Sequence, residues 1–148
     1  MYNPYSLFGK TILVTGASSG IGQATAIECS RMGATLVLTG RNEERLLETY
    51  NSLETEGQVH QIFTADLSSA DGISALVTKL PQLDGCVNNA GIGKTLPIPF
   101  ISWDELDRIY CLNSFAPMLL TKELVRKKKL SNPSSLVFTL SIAGNFNI

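Results

Sequence analysis

No stretch of this sequence is apolar for anything near the ~18 residues that a membrane span needs. Its first ten residues, MYNPYSLFGK, lack the basic start and apolar run of a secretory signal. A membrane-inserted or exported chain is therefore set aside, and a cytoplasmic location is expected. Cysteine is scarce. Cys29, Cys86 and Cys111 are odd in number and widely spaced, which argues against a disulfide framework or a zinc site and suits a reducing compartment. Charge of one sign is lacking too: 12 Lys plus Arg stand against 13 Asp plus Glu, a net charge of -1. So balanced a chain has no global pull toward nucleic acid or an anionic membrane. Repeats, low-complexity tracts and linkers are absent. What is present is 44% hydrophobic and 17% charged residues over 148 positions, enough for one domain with a real core.

Short apolar runs alternate with amphipathic stretches. Thr11 to Thr15 is rich in β-branched residues and ends at Gly16, the pattern of a buried strand. Ile21 to Met32 reads as a helix stopped by Gly33. Thr35 to Thr39 is a second strand. Asn42 is a candidate N-cap for a helix to Glu54, with Leu46, Tyr50 and Leu53 on one face. Val59 to Ala65 reads as a third strand, Ser69 to Leu80 as a helix, and Leu83 to Asn88 as a fourth strand. A loop rich in Pro and Gly follows. Ser102 and Glu105 then form the pattern of a capping box, opening a helix expected to reach Lys129 with a kink at Pro117. Asn132-Pro133-Ser134 reads as a turn and Leu136 to Leu140 as a fifth strand. Strands alternating with helices predict an α/β fold of three layers: a doubly wound, Rossmann-like parallel sheet in order 3-2-1-4-5. Ligands are expected beyond the carboxyl ends of its strands, where the first and fourth meet.

Gly16, Gly20 and Gly22 directly follow the first strand and open the first helix. Gly16 permits a tight turn, and the other two let backbone approach a pyrophosphate and let the helix pack on the sheet. The helix N-terminus adds free N–H groups and a partial positive charge. No Gly-Lys-Ser/Thr stands in this turn, which sets aside a P-loop. The octet Thr15-Gly16-Ala17-Ser18-Ser19-Gly20-Ile21-Gly22 resembles the TGxxxGIG signature of the short-chain dehydrogenase/reductase family. Asn88-Asn89-Ala90-Gly91 resembles that family's NNAG motif, and Asp66-Leu67 its adenine-contacting Asp. The resemblance runs from about Phe8 to Gly144. It implies an oxidoreductase with a nicotinamide cofactor, held by Gly16, Ser18, Ser19, Gly20, Ile21 and Gly22 at the phosphates. Asp66 and Leu67 would lie at the adenine, and Asn89, Ala90 and Gly91 on the nicotinamide-ribose side. Asn88 is expected to tie neighbouring strands through its side chain. Asp66 has a competing reading, as a loop cap before Ser68 and Ser69.

The end of the second strand bears on the choice of cofactor. An acidic residue there favours a ribose 2′-hydroxyl and repels a 2′-phosphate. This chain has Gly40 and Arg41 instead. A guanidinium fork suits a phosphate, so NADP(H) is expected over NAD(H). The competing reading pairs Arg41 with Glu43 or Glu44.

Hydride transfer to a carbonyl leaves charge on oxygen that needs a proton donor and a hydrogen-bond donor. In the resembled family a Tyr donates, tuned by a Lys four residues later, while a Ser orients the substrate and a helix Asn anchors a water-linked proton path. By that resemblance Ser141, in Ser141-Ile142-Ala143-Gly144, is the Ser and Asn113 is the Asn. Four residues after Tyr2, Tyr5, Tyr50 and Tyr110 stand Ser6, Gly9, Glu54 and Ser114, so none heads a Tyr/Lys pair. The family's Tyr lies about a dozen residues beyond the Ser. The expectation is thus a single NAD(P)-binding domain over residues 1–148, incomplete at its C-terminus, lacking the family's last strands and inactive alone. A small carbonyl or alcohol is the expected substrate class, and a homo-oligomer the expected state of the complete protein. A non-catalytic NADP-binding or regulatory module is the alternative.

The remaining features read as structural. His60 is the only histidine and is expected half-exposed in a strand. Arg126-Lys127-Lys128-Lys129 reads as a solvated helix end. Trp103 reads as a packing residue, and no cysteine has the surroundings of a thiolate nucleophile.

Overall fold

Ile12, Leu13 and Val14 point alternately to the two sides of the first strand, and all three are buried. A strand apolar on both faces needs a layer of helix on each. The computed structural model, which describes residues 3–141, has that arrangement. β1 (Thr11–Thr15), β2 (Thr35–Gly40), β3 (Gln61–Thr64), β4 (Leu83–Asn88) and β5 (Leu130–Phe138) form one sheet in order β3-β2-β1-β4-β5, parallel throughout. The helices are α1 (Gly20–Arg31), α2 (Glu43–Asn51), α3 (Ala70–Lys79), α4 (Trp103–Tyr110) and α5 (Ala116–Arg126). Fold class and strand order are as expected.

The core lies in two slabs. On one face Leu13, Val37 and Cys86 pack with Ile73, Leu76 and Val77 of α3 and Leu120 and Leu124 of α5. On the other, Ile12, Val14, Leu36 and Leu38 pack with Ala26 of α1 and Leu46 of α2. Burying each large aliphatic side chain contributes roughly 1.5–3 kcal/mol. Burial pushes the Cys86 thiol up to about 12, so it stays protonated and inert. The chain winds outward from β1 to β3, then returns to the other side of β1 at β4. That reversal opens a crevice at the carboxyl ends of β1 and β4.

Two predicted caps are present. Asn42 Oδ1 accepts the Arg45 amide at 2.9 Å, and Ser102 Oγ accepts the Glu105 amide at 3.3 Å. The capping box is only half made, because Glu105 pairs instead with Lys94 at 2.9 Å and Arg108 at 3.0 Å.

Elsewhere the structure departs from the sequence-based expectations. The long last helix is two helices joined by a π-helical turn, Cys111–Phe115. Pro117 therefore stands at the start of α5, where a missing N–H is tolerated. Strand β5 begins six residues early, and the expected Asn132-Pro133-Ser134 turn is a bulge inside it. Leu83 faces Leu130 and Gly85 faces Ser135, so two steps on β4 span five on β5; the Asn132–Pro133 peptide is cis. His60 is buried just ahead of β3, its Nδ1 accepting the Leu36 amide at 2.9 Å and its Nε2 donating to the Glu54 carbonyl at 2.7 Å. Trp103 is 81% exposed and packs little. Three cations of the basic run are bonded: Arg126 pairs with Glu123, Lys127 reaches Ser74 and Thr78, and Lys129 reaches the Leu80 carbonyl. No helix among the described residues is long and apolar enough to cross a membrane.

Candidate cofactor-binding site

The crevice begins with the turn after β1. Gly16 and Gly20 hold positive φ, 65° and 56°, a region costly for side-chain-bearing residues. A Cβ on Gly16 would lie 2.9 Å from Ala90 Cα, and one on Gly22 would land on the Gly16 carbonyl oxygen and 2.6 Å from Asn89 Nδ2. These glycines bring α1 and the end of β4 against the turn. Ser19 occupies the N-cap of α1 with extended backbone but makes no capping bond, and the first turn holds no acidic residue. The first helical bond runs from the Gln23 amide to the Ser19 carbonyl, so the Gly20, Ile21 and Gly22 amides have no intrahelical acceptor.

Thr15 locks the two sides of the crevice together. Its hydroxyl is buried, accepts the Asn89 and Ala90 amides at 2.9 Å each, and donates to the Val87 carbonyl at 3.3 Å. Sequence reasoning gave Thr15 no role of its own; its place just before the first glycine was the available signal.

The resulting cleft encloses about 760 Å³, within the usual range for a small-molecule site. Gly16, Ser18, Ser19, Gly20 and Ile21 line its floor. Arg41, Asn42 and Arg45 line the rim beyond β2, and Leu67 the rim beyond β3. Asn89, Ala90 and Gly91 close it after β4. Neither Arg41 nor Arg45 is in an ion pair among the described residues, so the pairing of Arg41 with Glu43 or Glu44 is not made. Arg45 was missed in the sequence, although it follows the Asn42 cap by three residues and so returns to the same end of α2.

Four expected site residues stand outside the lining. Gly22 is buried in the first turn of α1. Asp66 turns to Ser68, accepting its hydroxyl at 2.7 Å and its amide at 3.0 Å. The Ser68 hydroxyl and amide, and then the Arg41 charge, hold that carboxyl below its ordinary value of 3.8. Asn113 sits in the π turn, its Oδ1 accepting the Ile92 amide at 2.9 Å and its Nδ2 donating to the Ile92 carbonyl at 2.8 Å. Its side chain thus pins the loop after β4. Pro117 has no N–H for the carbonyl four residues back, which is that of Asn113. Ser141 is exposed, three residues past β5. The rest of its motif, Ile142-Ala143-Gly144, lies outside the described residues. Asn88 is buried, but its Nδ2 has no partner among the described residues, so the expected side-chain tie between strands is not seen.

The geometry fits a dinucleotide. An uncapped, acid-free helix start faces closely packed glycines, and two unpaired guanidiniums stand at the far rim. No metal-ligating cluster occurs among the described residues. A family model described as short chain dehydrogenase matches residues 10–148.

The chain belongs to the short-chain dehydrogenase family.

Its relatives agree. It is 36% identical over 143 residues to the uncharacterized oxidoreductase YciK of Escherichia coli K12, covering 91% of this chain and 57% of that protein. It is 36% identical over 146 residues to the 3-oxoacyl-acyl-carrier-protein reductase FabG of Rickettsia prowazekii, covering 94% and 58%. Among solved structures, one described as a short-chain dehydrogenase from Escherichia coli CFT073, complexed with NADPH, superposes with a TM-score of 0.84 at 34% identity. It covers 99% of this chain and 65% of the other. A protein from Sinorhizobium meliloti 1021 described as a short-chain alcohol dehydrogenase gives 0.87 at 27% identity, covering 97% and 59%. This short-chain dehydrogenase chain thus spans less than two thirds of the length of these relatives.

Proposed function

We propose that this chain binds NADP(H) and forms the cofactor-holding part of an oxidoreductase acting on a small carbonyl or alcohol. The observation that carries the reading is the pair Arg41 and Arg45 on the cleft rim, unpaired, where β2 ends without a carboxylate. A guanidinium fork matches a 2′-phosphate and has nothing equivalent to bind on a bare 2′-hydroxyl. The NADPH-complexed relative supports the same choice.

NADPH, when bound, supplies the hydride. The chain's own residues bind and orient. The amides at the start of α1 neutralise the pyrophosphate, and Leu67 gives the adenine an apolar wall. Asp66, turned to Ser68 in this structure, would hold the adenine amino group, by family resemblance. Asn113 holds Ile92 and with it the Asn89–Gly91 segment on the nicotinamide side. Ser141 has the role of orienting the substrate oxygen, by family resemblance.

No Tyr in the 148 residues is followed by Lys four positions on. A non-catalytic NADP-binding or regulatory module is the second reading. Losing a general acid costs about 10²–10⁴-fold, so a polypeptide ending at Ile148 is expected to show no appreciable carbonyl reduction. Robust NADPH oxidation by material of verified 16.0 kDa mass overturns this expectation. A complete protein that binds NADPH without turning over any carbonyl supports the second reading instead. Exposed Leu106, Tyr110, Phe115 and Met118 on the α4–α5 side support a homo-oligomer in the complete protein. Fluorescence titration with NADPH and NADH tests the cofactor choice. Tighter NADPH binding is expected, and equal affinities overturn it.

A further inference from the structure

Thr49 lies in the last turn of α2, is fully buried, and does not line the cleft. Its hydroxyl reaches three elements. Its single proton faces two carbonyls, that of Ala17 at 2.9 Å and that of Arg45 at 3.1 Å, and its oxygen accepts Gln23 Nε2 at 3.1 Å. The Arg45 contact is the ordinary back-bond of a helical threonine. The Ala17 contact is not local, since 32 positions separate the two residues. Ala17 is itself fully buried, and its amide donates to the Thr39 carbonyl at 3.2 Å. Both of its backbone polar groups are therefore held inside the protein.

The Ala17 carbonyl and the Ser18 N–H belong to one planar trans peptide and point in opposite directions. Holding the carbonyl inward on Thr49 turns the Ser18 N–H outward, and Ser18 lines the cleft between the glycine turn and Arg41. We propose that Thr49 is a positioning residue of the cofactor site: its hydroxyl fixes the Ala17–Ser18 peptide so that the Ser18 amide faces the phosphates of the bound dinucleotide. The bond to the Ala17 carbonyl also ties α2, which carries the rim cation Arg45, to the glycine turn. This inference rests on the NADP(H) reading above.

Thr49→Val keeps the shape and removes the donor, while Thr49→Ser keeps the donor. With NADPH as the probe, Thr49→Val is expected to weaken binding about tenfold, the scale of one misdirected hydrogen bond to a charged group. Thr49→Ser is expected to restore affinity to within about twofold of the original. Melting temperatures are recorded in parallel. A purely structural role lowers the melting temperature and leaves the affinity of the folded protein unchanged, and that result overturns the inference, as does a Thr49→Ser variant that fails to restore binding. Should Thr49→Val not fold, the ¹⁵N-labelled unsubstituted chain decides. Its Ser18 amide resonance shifts strongly on adding NADPH if the inference holds, and an unmoved resonance overturns it. Absence of any binding of NADPH or NADH by the unsubstituted chain overturns the cofactor reading itself, an outcome distinct from normal binding by Thr49→Val.

Discussion

The starts of α1 and α3 are the same device used in opposite ways. Each follows a parallel strand, with Gly16, Ser19 and Gly22 in one place and Asp66, Ser69 and Gly72 at the same spacing in the other. Each serine has extended backbone at the N-cap, φ −170° at Ser19 and −117° at Ser69. In each, a Cβ on the last glycine would land on the carbonyl oxygen of the residue six positions back. The difference is in who satisfies the helix. Ser69 Oγ accepts the Gly72 amide at 3.0 Å, and Asp71 adds a negative charge to the first turn. Ser19 makes no such bond, and α1 has no acidic residue in its first turn. Helices α2 and α4 follow the α3 pattern, with Asn42 and Ser102 as caps and two acids each. Among α1 to α4 one helix start is left open, and it is the one that faces the cleft; α5 also lacks a side-chain cap, but it runs on from the π turn. An open start is a standing demand for an anion.

The sharpest way to break this comparison is to close both glycines. Gly22→Ala is expected to weaken NADPH binding about 100-fold or more, since the turn must open and several charge-assisted bonds are lost together. Gly72→Ala is expected to lower the melting temperature while changing NADPH affinity far less; comparable losses of affinity in calorimetric titrations would erase the distinction. Next in size are the rim arginines. Arg41→Ala and Arg45→Ala are each expected to cost about tenfold against NADPH, with NADH nearly unaffected; equal losses for both cofactors would remove the 2′-phosphate assignment. The capping serines come third. Ser69→Ala is expected to destabilise the protein by about 1 kcal/mol, and Ser19→Ala by a few tenths at most without cofactor. Urea titrations check this, and equal costs would mean that Ser19 does cap α1.

The smallest effect is acid dependence at Asp66. The fold favours the ionised carboxyl, because the Ser68 hydroxyl and amide and then Arg41 stabilise it. Its contribution is thus present above the ordinary value of 3.8 and fades as pH falls through the lower folded value. The stability difference between the original chain and Asp66→Asn should shrink between about pH 6 and about pH 2. A difference constant across that range would contradict it.

What could be read in the sequence was whatever depends on local pattern. Thr11 to Thr15 and Thr35 to Thr39 are apolar on both faces and short, so a buried parallel sheet follows from them directly. The glycine turn and the Asn42 cap are equally local. What escaped depends on contacts closed by the fold. Arg45 looks like any exposed helix arginine until α2 is docked against the end of β2. Pro117 signals an interruption, but it does not say that the chain will widen one turn to absorb it. Asn132-Pro133-Ser134 reads as a turn ahead of a strand, because nothing nearby shows that β4 lies alongside to carry the pairing past a bulge. His60 is polar and reads as half-exposed, and only the Leu36 amide and Glu54 carbonyl explain how it can be inside.

The π turn has a consequence for which lengths of this chain evolution can tolerate. Helix α4 buries no residue, whereas α5 buries Ala116, Leu120 and Leu124 at intervals of four. The wide turn between them sets their rotational phase, each residue in a helix turning the next by about 100°. Deleting one residue from 111–115 would swing that stripe out of the core and carry Asn113 away from Ile92. The loop at 93–101, with no such phase to keep, can lengthen or shorten with little penalty. Two adjoining segments are thus under opposite rules for insertion and deletion, one counted residue by residue and the other hardly counted at all.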